Sequence, residues 1–145
     1  MRSISLARST SASGLERLKI PIRSDADIVA ARQKGRELAV TLGFLSTDQT
    51  LIATAISELA RNILRYAKRG EISVEPAGNM TAGIVIEARD EGPGISNVEQ
   101  ALQVGFSTSG GLGLGLPGVK RLMDEFEIVS VVGQGTRVKA TKWKR

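Results

Sequence analysis

The chain has 145 residues, a net charge of +5, and neither cysteine nor histidine. That length makes one domain, able to bury roughly 70% of its unfolded surface without a disulfide or a structural metal. The two missing residue types exclude thiol nucleophiles, imidazole bases, phosphohistidine and zinc held by cysteine or histidine.

No apolar run approaches the ~20 residues that span a bilayer, so no membrane partner is expected. Residues 1–16 are rich in serine but lack the apolar core of a secretory signal, and they read as a flexible tail before a single domain over 17–145. The absence of cysteine fits a reducing cytoplasm. The positive charge raises nucleic acid as a partner. The basic residues are spread along the chain, however, and the single Trp143 makes a poor stacking platform, so no nucleic acid is expected.

Arg17 to Arg23 alternates charged and apolar residues, the period of a half-buried strand, and Pro21 puts it at a sheet edge or at a bulge. Ser24 or Asp25 caps a first helix that runs to about Leu42, with Gly43 as its stop. Ser46-Thr-Asp-Gln49 reads as a capping box opening a second helix, with Ile52, Ile56, Leu59, Ile63 and Ala67 on one face and an end near Gly70. Two strands follow, Glu71 to Glu75 and Gly83 to Ala88, joined by a turn at Pro76 to Asn79. A short polar helix after Ser96, a loop over 105–110 and a helix from Leu116 to about Phe126 come next. Strands Ile128 to Val132 and Thr136 to Trp143 close the chain, and Lys139, Lys142, Lys144 and Arg145 read as guards of an edge strand. The order β-α-α-β-β-α-α-β-β predicts an α/β two-layer (α+β) sandwich, with helices covering one face of a mixed, mostly antiparallel sheet.

Three patches carry chemistry. Glu58 and Asn62 stand one helical turn apart, on a face expected to lie opposite the apolar stripe. An asparagine oxygen suits Mg2+, which takes few protein ligands beside phosphates and water. A glutamate can take the proton of an attacking hydroxyl. Asp90 ends a strand before Gly92 and Gly94, where a carboxylate can accept the exocyclic amine of adenine and glycines let backbone close on a flat ring. Gly111, Gly113 and Gly115 alternate with leucines up to Leu116 and run into a helix, a start at which free N–H groups bind phosphate. Thr136 adds a hydroxyl near the adenine. Arg61, Arg65, Lys68 and Arg69 share the second helix and can face phosphate, an acidic partner or solvent. Alone, each patch also reads as a polar helix face, a turn or a connector; together they describe an ATP site.

In this order and spacing the patches resemble the GHKL ATPase superfamily with its Bergerat fold, over nearly all of Ile20 to Trp143. Glu58 and Asn62 match its N box, Asp90 to Gly94 its first glycine box, Gly111 to Gly115 its second, and Thr136 its late threonine. Within it the chain is similar to the small anti-sigma-factor serine kinases, and most to the RsbT-type switch kinases of the stressosome. That resemblance implies a serine/threonine kinase using ATP and Mg2+. Its implied substrate is a STAS-domain protein; its implied downstream partner is a PP2C-type phosphatase, with a sigma factor as a further one. Tyr66 departs from the pattern, because many relatives carry histidine there. An alternative is an ATP-gated binding module with little catalysis.

Overall fold

The computed structural model describes residues 17–78, 82–103 and 115–145. Among these residues nine elements follow in the expected order: β1 (Leu18–Ile22), α1 (Asp25–Thr41), α2 (Ser46–Ala67), β2 (Gly70–Ala77), β3 (Gly83–Asp90), α3 (Val98–Ala101), α4 (Gly115–Leu122), β4 (Glu125–Val131) and β5 (Gly135–Trp143). The tail over 1–16 and the glycines Gly111 and Gly113 lie outside the described residues.

The strands form one sheet in the order β1-β2-β3-β5-β4. All four pairings are antiparallel, so the sheet is not mixed. β5 lies between β3 and β4, which overturns the reading of its lysines as edge guards. Lys142 is instead buried, and its Nζ donates to the Leu122 carbonyl at 3.0 Å, at the C-terminal end of α4 where a cation suits the helix dipole. The true edges are β1, with Pro21 as expected, and β4.

One face of the sheet packs against the helices. Ile22, Ile72, Val74, Ile84 and Ile86 are fully buried there against Ile52, Ile56 and Leu59 of α2, each worth about 1.5–3 kcal/mol of burial. α2 lies between α1 and α4, which is why its polar positions differ from the simple stripe expected.

Helix ends follow local chemistry. Asp27 reaches back to accept the N–H groups of Arg23 at 2.8 Å and Ser24 at 3.1 Å, capping α1. Gly43, at φ +87°, ends it. The capping box expected at Ser46 does not form: Leu45 is the cap residue of α2, and the Gln49 side chain donates to the Phe44 carbonyl at 2.8 Å instead. Buried Phe44 fixes that turn and moves the helix start back by one residue. α4 ends at Leu122 rather than Phe126, because the Asp124 N–H pairs with the Thr141 carbonyl at 2.8 Å and draws the chain into the sheet. No helix among the described residues is long and apolar enough to cross a membrane.

Candidate nucleotide site

A cavity of about 310 Å³ opens between α2, α4 and the β3–β5 part of the sheet. That is the size of a small-molecule site. Its walls are largely apolar, from Leu59 and Ile63 of α2, Leu116 of α4 and Val138 of β5. Asn62, Asp90 and Thr136 give it polar groups, and Gly94, Ile95 and Tyr66 line it as well. Five of the ten residues singled out from the sequence therefore meet in one cavity: Asn62, Asp90, Gly94, Leu116 and Thr136.

Asp90 ends β3, and its neighbour in the register across β5 is Thr136. Asp90 Oδ1 accepts the Gly92 N–H at 2.9 Å, which fixes the carboxylate's rotamer. Gly92 is glycine for want of space: a Cβ there would stand 2.6 Å from that of Ala67. Gly135 is tighter still, with φ +136° and a would-be Cβ only 2.1 Å from the Asp90 carbonyl oxygen. The backbone around Asp90 is thus closed by residues without side chains.

Glu58 departs from the expected solvated face. It is only 6% exposed. Its Oε2 accepts the Gly115 N–H at 3.1 Å, and its Oε1 is paired with the Arg61 guanidinium. Gly115 takes the left-handed φ of +67° as it opens α4. Glu58 does not line the cavity; it stands behind the helix start whose next residue, Leu116, does. Asn62, one turn further along α2, faces the cavity itself. Arg65 stacks over the Tyr66 ring at 6.0 Å.

Ser130 was not visible from the sequence. It lies on β4 opposite Thr136, its Oγ is 2.8 Å from Thr136 Oγ1, and it accepts the Ile95 N–H at 2.7 Å. A lone serine in an edge strand has no sequence signature; only the pairing of β4 with β5 shows its place.

Among the described residues, no three Asp or Glu side chains converge as a metal site. The donors fit a magnesium ion carried on phosphate oxygens, for which one amide oxygen from Asn62 is the type of ligand such an ion accepts.

This is the arrangement of a nucleotide-binding ATPase domain, and the chain belongs to the histidine kinase-, DNA gyrase B- and HSP90-like ATPase family, which matches residues 47–145. ATP is the nucleotide of that family. The chain is 55% identical over 127 residues to the serine/threonine-protein kinase RsbT of Bacillus subtilis (strain 168), covering 87% of this chain and 96% of the relative. That likeness puts it among the protein serine/threonine kinases of the family. It is also 35% identical over 97 residues to the anti-sigma F factor of Thermoanaerobacter sp. (strain X514), covering 63% of this chain and 68% of the relative. Two solved structures share the fold. The RsbU and RsbW domains of a Mycobacterium tuberculosis protein match with a TM-score of 0.62 at 19% identity, over 91% of this chain and 34% of that one. The SiaB-SiaC complex of Pseudomonas aeruginosa matches with a TM-score of 0.61 at 13% identity, over 86% of this chain and 88% of that one.

Proposed function

We propose that the chain transfers the γ-phosphoryl group of ATP to a serine or threonine of a STAS-domain protein, within a partner-switching pathway that controls a sigma factor. On release from the phosphorylated partner it activates a PP2C-type phosphatase. The observation that carries this reading is the bond from Glu58 to the N–H of Gly115. It puts a buried carboxylate at the helix start where the glycine-rich segment ends, one turn from Asn62 in the cavity.

The adenine ring lies against Leu59, Ile63 and Val138, with its exocyclic amine on Asp90 and Thr136 beside it. The N-terminus of α4, which opens at Gly115, favours the charge of the phosphates. Asn62 would hold a magnesium ion through its amide oxygen, and the ion would supply neutralisation of phosphate charge. Glu58 takes the proton of the acceptor hydroxyl as that oxygen forms its bond to the γ-phosphorus. The bond from that phosphorus to the bridging oxygen breaks, and ADP leaves with the electron pair. Positioning and electrostatics supply most of such catalysis. The acceptor arrives on a partner protein.

The test is transfer from ATP to the STAS-domain proteins of the same organism, read by intact mass. A gain of one phosphate with the wild type, and none with Asn62→Ala, is the expected result. ATP binding without transfer to any of them would overturn it.

Engagement of both Glu58 oxygens, together with the similarity to anti-sigma F factors, favours one second reading, an ATP-gated binder of a sigma factor or phosphatase. Its mark is partner capture that needs ATP and leaves the partner's mass unchanged.

A further inference from the structure

Glu58 has two side-chain neighbours one turn further along α2. At 3.6 residues per turn, Arg61 stands about 60° to one side of it and Asn62 about 40° to the other. Both are within reach of a glutamate, since residues three and four apart meet on a helix surface. They lead in different directions. Asn62 lines the cavity, whereas Arg61 does not. The Glu58 carboxylate goes with Arg61: its Oε1 pairs with the guanidinium, and its Oε2 accepts the Gly115 N–H at 3.1 Å. The carboxylate is thereby held out of the cavity, behind the start of α4.

The two partners differ in how firmly they are fixed. The Gly115 N–H is a backbone group and moves only with its helix. Arg61 is a long side chain, 39% exposed, that can swing away by turning about its own bonds. Without Arg61, Oε1 has no partner in a buried setting, which is costly for a charged oxygen. The relief open to it lies on the other side, at the Asn62 amide, which can donate, and at the cavity.

We infer that Arg61 is a positioning residue that holds Glu58 away from the cavity, and so keeps water from taking the γ-phosphoryl group while no acceptor protein is bound. This rests on the reading of Glu58 as the base and of the cavity as the ATP site. A carboxylate turned into the cavity takes a proton from water as readily as from a serine hydroxyl. The water oxygen then bonds to the γ-phosphorus, and the bond from that phosphorus to the bridging oxygen breaks. ADP leaves with the electron pair, and inorganic phosphate is formed. Held against Arg61, the base gives water no such help.

The experiment is release of ADP from Mg·ATP by the full chain alone, with ATP affinity and thermal unfolding measured beside it. The variants are R61A, R61Q, R61K, E58Q and R61A/E58Q. R61A is expected to hydrolyse ATP about 3- to 10-fold faster than the wild type at unchanged ATP affinity, the worth of an ion pair with one partly exposed partner. R61Q, which keeps a neutral donor should R61A fail to fold, lies between the two. R61K, which keeps the charge, stays near the wild type. The gain vanishes in R61A/E58Q, the mark of a residue acting through another. Hydrolysis by R61A and R61Q no faster than by the wild type would overturn the inference. So would a gain that survives in R61A/E58Q, or one that R61K shows in full. E58Q separates the two levels, with transfer to STAS-domain proteins read by intact mass. Transfer by E58Q equal to that of the wild type overturns the reading of Glu58 as the base, whereas E58Q deficient and R61A silent overturns the role of Arg61 alone.

Discussion

Glu58 Oε2 accepts the backbone N–H of Gly115 at 3.1 Å, and so the middle of α2 is tied to the first residue of α4. The bond sets a buried carboxylate at the positive end of a helix dipole, a stabilising arrangement. It also sets the carboxylate next to the place where phosphate charge would gather. Glu58→Gln keeps an oxygen for the Gly115 N–H but loses the base. Phosphoryl transfer in single turnover should fall about 10²- to 10⁴-fold while ATP affinity stays near that of the wild type. Equal transfer by the two proteins would remove Glu58 from the chemistry.

Asn62 tests the metal. If its amide oxygen is the protein's share of the magnesium shell, Asn62→Ala should bind ATP with little dependence on magnesium concentration, and should transfer no phosphate. A magnesium titration of ATP binding, compared between the two proteins, reads this directly. Thermal unfolding should be little changed, because Asn62 is a cavity-facing group rather than a core one.

Two glycines of the β4–β5 turn make a matched pair. Gly133 and Gly135 both have positive φ, at +83° and +136°. A Cβ at Gly133 meets nothing within 4 Å, whereas at Gly135 it would press on the Asp90 carbonyl, a backbone atom that cannot rotate away. Gly133→Ala should therefore cost only the left-handed conformation, about 1–2 kcal/mol, with ATP binding intact. Gly135→Ala should cost that and a further ~1–3 kcal/mol of steric strain, and should displace Asp90. Urea unfolding and ATP titration of both variants would separate the two effects; matching losses would contradict the geometry.

Asp124 gives the fold a pH dependence. Burial pushes its carboxyl up, but the Trp143 N–H at 2.7 Å, the bond from Arg145 and the charges of Lys142 and Arg145 outweigh it, so the carboxyl lies below its usual range. A depressed carboxyl stabilises the folded chain above the unfolded pKa, and the gain is lost as pH falls through the folded one. Asp124→Asn should thus be less stable than the wild type at pH 7. The two unfolding midpoints should converge as pH drops below about 4. A gap that stayed constant down to pH 2 would assign the effect to packing instead.

Local pattern carried most of this fold. Alternation in Leu18–Ile22 and the 3.6 period through Ile52, Ile56, Leu59 and Ile63 follow from which side chains are buried, and burial is written in residue type. The order of strands in a sheet is not. Nothing near Lys142 distinguishes an inner strand from an edge, so its place under α4 had to come from the pairing of β5 with both β3 and β4. The same holds for Glu58, where the sequence suggests a polar face and the packing of α4 on α2 makes a buried one. Asn62, Asp90 and Thr136 could be singled out from the sequence as candidates by the order and spacing of their patches, and the fold brings all three to one cavity. Ser130 could not, since its place is defined only by its hydrogen bonds with Thr136 and Ile95.

β1 meets β2 only after the chain has passed through both long helices, with Leu18 paired to Val74, while β4 and β5 are hairpin neighbours. Closing that long loop costs more entropy than closing a hairpin. As an edge strand containing Pro21, β1 is also the natural place for sub-global opening. Its amides should exchange with deuterium well before those of β3 and β5. Asp90, Thr136 and Ser130 all lie on strands beyond β2, away from that edge. The sheet can therefore fray at β1 while the row behind the cavity keeps its register.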